Sequence, residues 1–290
     1  MKEFAPQLGD FVRVLGTAAA LILLGYFVLA RVLRRLPLRA MRLPSGPLPP
    51  TWRAILERDV PLARHLSPEE RERLLRLVQV FLRDKHIEGC GGLIVTEEMK
   101  VTIAAEACLL LLHWDGPVYP LLRTVLVYPE GFVPKKAVGR AVTGEIDSSL
   151  EPEIGESWQD GVVVISWADA ARAAQGQALD GENVVLHEFA HQLDQADGVA
   201  YGAQVLPTGA LRTWGRVLST EYERLRGEAA EGRPSVLDPY GATNKAEFFA
   251  VATEAFFEHP LALEQERPEL YAQLRAFYRQ DPARRTPPAP

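Results

Sequence analysis

The chain has 290 residues, 47% of them hydrophobic and 24% charged, which excludes collagen-like, disordered and disulfide-scaffold classes and leaves enough length for one sizeable core. A formal net charge of −6 offers no basic field of the kind nucleic acids attract, so no direct nucleic acid binding is expected. Its two cysteines, Cys90 and Cys108, have no CxxC neighbour and fit a reducing compartment.

Residues 14–30 (VLGTAAALILLGYFVLA) carry no charge, and that is about the minimum length of a membrane span. A buried core helix is the alternative, but the run is terminal and has no polar face. No small-x-small cleavage site follows it, which argues against a signal peptide. Lys2 and Arg13 precede the run, whereas Arg31, Arg34, Arg35, Arg39 and Arg42 follow it. The positive-inside rule then places the rest of the chain on the cytoplasmic side of the cell membrane, as a single-pass protein. The expected organisation is an N-terminal segment at 1–13, a transmembrane helix with its basic flank at 14–35 and a stiff Pro/Arg-rich linker at 36–50. One folded domain at 51–282 and a Pro-rich tail at 283–290 complete it.

Within the domain, Ser67-Pro68-Glu69-Glu70 predicts a capped helix start and a helix running to Lys85. A second helix is expected from Thr96 through Leu112. Residues 123–128 (RTVLVY) read as a strand closed by Pro129, and residues 162–166 (VVVIS) as another, followed by a short helix at 167–175. Helices and short strands mix without βαβ regularity. The expected class is therefore α+β, a small mixed sheet packed on helices.

The chemistry is concentrated in His187-Glu188-Phe189-Ala190-His191. On a helix, His187 and His191 share one face at the spacing needed to grip one tetrahedral zinc, and Glu188 beside them suits activation of a water. HExxH arises by chance in roughly one chain in a hundred. Here Val184, Val185, Leu186, Phe189, Ala190 and Leu193 give the motif a buried-looking helix, which a chance copy does not require. Asp197, ten residues after His187, matches the third-ligand position of the HExxHxxGxxH/D pattern. That pattern fails because Asp194 stands where its Gly is needed and Met1, Met41 and Met99 all precede the motif. The other source of a ligand is the apolar helix expected over residues 243–258. There Glu247 competes with a capping role behind Asn244, Glu254 is a reserve ligand on the same face, and Glu258 reads as solvated. Asp194, three residues after His191, is close enough to accept its ring N–H and so orient the ring.

LHEFAHQLDQADG (186–198) and DPYGATNKAEFFAVATEAFF (238–257) resemble the Mlc titration factor A family of zinc peptidases, of gluzincin type. LVYPEGFV (126–133) and GESWQDGVVVISW (155–167) are weaker matches. The resemblance implies a zincin-like metallopeptidase fold over 51–282, one zinc ion on His187, His191 and Glu247, Glu188 as catalytic base and Tyr240 as oxyanion donor. The partners it implies are a peptide or protein substrate and, beside or instead of hydrolysis, the transcriptional repressor Mlc. Residues 1–40 depart from the family's better-known soluble members.

Overall fold

The computed structural model describes residues 43–130, 161–174, 183–195 and 209–285. The expected span at 14–30, the linker up to residue 42, and Asp197 lie outside them. Among the described residues no helix is long and apolar enough to cross a membrane.

Local signals build the first helices. Helix α1 (Pro50–Asp59) opens on a proline, whose fixed φ suits the first helical turn. After a 3-10 turn (Pro61–His65), α2 (Pro68–Asp84) starts on a complete capping box: the Ser67 hydroxyl accepts from the Glu70 N–H, and the Glu70 carboxylate accepts from the Ser67 N–H. Thr96 caps α3 (Glu97–Leu109), which is buried on nearly every side and so forms the centre of the molecule.

Three strands form one sheet, β1 (His86–Gly89), β2 (Thr124–Tyr128) and β3 (Val162–Ser166), in that order. Every pairing among them is parallel, with Ile87 beside Val125 and Val125 beside Val163. The expected mixed sheet is corrected to this extent. The connection from β1 to β2 contains α3, which returns the chain to the starting edge before the next strand begins. The strand β1 had no signature, because His-Ile-Glu-Gly offers a single apolar residue. Val125, Val127, Val163 and Ile165 are buried completely. Both cysteines are free, with Cys108 in the core of α3.

Beyond β3 the chain is helical: α4 (Trp167–Ala174), α5 (Val184–Gln195), α6 (Leu211–Ala230), a 3-10 turn (Pro239–Ala242), α7 (Lys245–Glu258), α8 (Pro260–Glu266) and α9 (Pro268–Tyr278). The motif helix α5 packs chiefly on α7 and lies against β3 and α3. Phe189 anchors it, with its ring 5.7 Å from Phe81 of α2 and 4.9 Å from Tyr119. Helix α7 is buried from Glu247 through Phe257 and meets α6 through Phe249 on Trp214 and Phe248 on Tyr222.

Arg267, between α8 and α9, is fully buried and bonds Glu221 and Glu228 of α6. It also donates to Ser235 Oγ at 2.7 Å, and Ser235 Oγ accepts from the Leu237 N–H at 3.1 Å. This cluster staples the loop that delivers the turn carrying Tyr240. Arg267→Ala removes the buried cation and leaves Glu221 and Glu228 to the half-exposed Arg224 alone, which is expected to cost about 3 kcal/mol. Urea denaturation measures this, and an unchanged midpoint would mean that the cluster is not a buried one.

Candidate metal centre

Asn183 starts the motif helix. Its Oδ1 accepts from the N–H groups of Val185 (3.1 Å) and Leu186 (3.0 Å), and its carbonyl accepts from the His187 N–H at 2.9 Å. These bonds satisfy donors that a first turn otherwise leaves unpaired. Val185, Leu186, Phe189 and Ala190 are fully buried, which turns His187 and His191 toward α7.

Helix α7 brings a carboxylate to meet them. Asn244 Oδ1 accepts from the N–H groups of Ala246 (2.9 Å) and Glu247 (3.0 Å). The cap thus engages only the backbone of Glu247, and its side chain turns to the histidines. Glu247 Oε2 lies 3.0 Å from His187 Nε2 and 3.4 Å from His191 Nε2, and the two Nε2 atoms are 3.2 Å apart.

A tetrahedral zinc with bonds of about 2.0–2.1 Å holds its ligand atoms about 3.3 Å apart. The three separations of 3.0, 3.2 and 3.4 Å bracket that edge. His187, His191 and Glu247 are the one group of this kind among the described residues, and the donor set is compatible with a metal ion. Glu188 adds an orphan: its Oε2 is buried and has no hydrogen-bond partner among the described residues.

Burial by itself disfavours a charged imidazole, but the carboxylates of Glu247 and Glu254 outweigh it and raise His187 to about 10. For Glu247 burial acts upward, and the two histidines overcome it and bring the carboxyl to about 2. Burial pushes Glu188 to about 8, with His187 opposing and the charges of Glu247 and Glu254 adding to the rise. Tyr240 sits on the 3-10 turn with its ring centroid 6.1 Å from that of His187. Its phenol is raised by burial and then by the charges of Glu247 and Glu188. Asp194 is buried at the C-terminal end of α5, and its charge, after burial, contributes to raising the Tyr278 phenol.

Two expectations are revised. Glu254 does not join the three donors: its Oε1 lies 2.6 Å from His187 Nδ1, the ring nitrogen facing away from Glu247, and its Oε2 accepts from the Asn183 N–H at 2.8 Å. Glu258 is not solvated: its Oε2 is buried, and burial followed by the Glu254 charge raises it to about 8. Asn183 and Glu106 escaped sequence reasoning altogether. Glu106 of α3 is fully buried, accepts from Asn183 Nδ2 at 3.4 Å and is raised by burial to about 8. An asparagine just before Val-Val-Leu-His and a lone acid within an otherwise apolar helix were the available signals.

A motif helix and a second helix together gather two imidazoles and a carboxylate, an arrangement consistent with a zincin-like metallopeptidase. The chain belongs to the family described as glucose-regulated metallo-peptidase M90 (Peptidase_M90), which matches residues 34–279. It is 39% identical over 250 residues to "Uncharacterized protein slr2042" of Synechocystis sp., covering 84% of this chain and 89% of that protein. It is 33% identical over 242 residues to "Mlc titration factor A" of Pectobacterium atrosepticum, covering 81% and 87% respectively. The corresponding protein of Klebsiella pneumoniae (strain 342) is 32% identical over 245 residues, covering 83% and 90%.

A metal bound at this cluster would compete with a proton on His187, whose affinity for it Glu247 and Glu254 raise. Binding is therefore expected to release at least one proton at neutral pH and to tighten about tenfold per pH unit as that proton becomes easier to remove. Calorimetric zinc titration in buffers of different ionisation enthalpy counts the protons, and a count of zero means that His187 is already neutral before the metal arrives.

Proposed function

We propose that this chain is a zinc-dependent peptidase in which His187, His191 and Glu247 hold one zinc ion and Glu188 is the general base. The observation that carries the reading is the convergence of three donor atoms at 3.0–3.4 Å beside a buried, unpartnered Glu188 oxygen. When bound, zinc lowers the pKa of a water toward neutrality and polarises the scissile carbonyl. Glu188 Oε2 takes the proton of the attacking water and returns it to the leaving amine. In the metal-free protein burial raises this carboxyl to about 8, so that it mostly holds a proton at neutral pH; the positive charge of a bound metal would lower it toward the carboxylate that accepts the water's proton. Tyr240 keeps its proton at neutral pH, since its phenol is raised, and donates to the developing oxyanion. Asp194, three residues after His191, orients that imidazole by accepting its ring N–H. Among the described residues β3 has a neighbouring strand on one edge, and an extended substrate backbone can pair along the other.

A second reading rests on the relatives named "Mlc titration factor A". In it the chain binds an Mlc-type repressor, and that surface needs no proton transfer by Glu188. The apolar run at 14–30 and the arginines after it further support a single-pass membrane protein with the peptidase domain on the cytoplasmic side.

The zinc-loaded full-length chain, given a mixed peptide pool read by mass spectrometry, is expected to cleave in a chelator-sensitive way. Glu188→Gln should lose about 10²–10⁴-fold while keeping its zinc, and Tyr240→Phe about 10²-fold. No cleavage by the zinc-loaded wild type overturns the peptidase reading. Retention of purified repressor by Glu188→Gln then supports the binding one, and no retention removes it. A reporter fused after Pro290 should be active on the cytoplasmic side, and activity only outside reverses the orientation.

A further inference from the structure

Behind His187, on the side away from Glu247, stand side chains that the proposed reaction does not use: Glu254, Asn183, Glu106 and Glu258. Their connections form a chain that ends on the ring of a proposed ligand. Glu254 Oε1 is 2.6 Å from His187 Nδ1, and Glu254 Oε2 accepts from the Asn183 N–H at 2.8 Å. Both carboxylate oxygens are therefore committed, one to the ring and one to the residue that caps the ring's own helix. The Asn183 carbonyl accepts from the His187 N–H at 2.9 Å, so the backbone of His187 is held by the same residue. The Asn183 amide in turn donates to Glu106 at 3.4 Å and lies against Glu258.

Resting on the metal-site reading above, we propose that Glu254 is the positioning residue of the metal centre, fixing His187 as the Nδ1–H tautomer so that Nε2 presents its lone pair toward His191 and Glu247. An imidazole that gives one N–H to a carboxylate has its other nitrogen set as the acceptor. The 2.6 Å contact is at the short end for a charge-assisted bond, which sets ring rotation as well as tautomer. The arrangement also separates Glu254 from a ligand role, because its oxygen meets the opposite edge of the ring from the one Glu247 meets. Asn183 supports the geometry at one remove: its N–H orients Glu254, while its Oδ1 fixes the helix start from which His187 projects.

The test measures zinc affinity of the full-length chain by competition with a chromophoric chelator, together with the His187 tautomer by long-range ¹⁵N–¹H correlation. Glu254→Gln is expected to weaken zinc binding by about 10–100-fold, with Glu254→Asp restoring part of the loss. In the zinc-loaded wild type, His187 should carry its proton on Nδ1. A Glu254→Gln chain of lowered thermal stability but unchanged zinc affinity overturns the proposal and leaves the metal site standing. A zinc-loaded wild type whose His187 is protonated on Nε2 overturns the proposal and the metal site together, because Nε2 is the proposed donor, and that result needs no variant to fold. If the wild type takes up no stoichiometric zinc, or His187→Ala binds it equally well, this inference and the metal-site reading fall together.

Discussion

The structure turns on one interaction, the Glu247 carboxylate facing the imidazoles of His187 and His191 in the interior. A buried carboxylate has to be matched by cationic or hydrogen-bonding partners at close range. That demand fixes how α5 lies on α7, because a shift of one residue on either helix would turn the matched groups away from one another. Two asparagines set the register. Asn183 caps α5 one turn before His187, and Asn244 caps α7 just before Glu247, so each helix starts at a defined distance from its polar contribution. Phe189 then pins α5 through its ring contacts, and α7 is immobilised by burial along almost its whole length.

Around this pairing the interior is unusually rich in acid. Glu188, Glu254, Glu106 and Glu258 all lie in surroundings that disfavour their charged forms, and burial is the leading cause for each. Two imidazoles cannot offset so many carboxylates. In the metal-free protein the balance is met by protons, most plainly the one that His187 retains to about pH 10. A divalent cation meets the same need by another route, which makes metal uptake and proton release one linked process. The same electrostatics make the pKa of Glu188 sensitive to what occupies the three donors, since its principal charged neighbours are His187, Glu247 and Glu254.

Family membership and the geometry bear on different questions. Membership in the M90 metallo-peptidases sets the class, and the name "Mlc titration factor A" belongs to the relatives. Hydrolysis depends on a few atoms held to within fractions of an ångström. Binding of a folded partner depends on a surface, to which a buried carboxylate oxygen such as Glu188 Oε2 contributes little.

The sequence alone determined what short-range physics governs. The spacing of His187 and His191 on an apolar helix, the capping box at Ser67, the caps at Thr96 and Asn244, and the strands at 124–128 and 162–166 all follow from interactions within a few residues. The third donor, Glu247, was within reach because an acid in an apolar helix demands a partner. Tertiary structure alone decided which partner each acid took. Glu254 and Glu247 share a helix face and look equivalent in sequence, yet they meet opposite nitrogens of one ring, because that depends on the angle and depth at which α7 crosses α5. It also decided the parallel sheet and the weak strand at 86–89, whose pairing comes from the strand beside it and not from its own residues. Glu258 was misread as solvated and Glu106 went unread for the same reason: burial is a property of the packed helices around a side chain, and one helix by itself does not contain it.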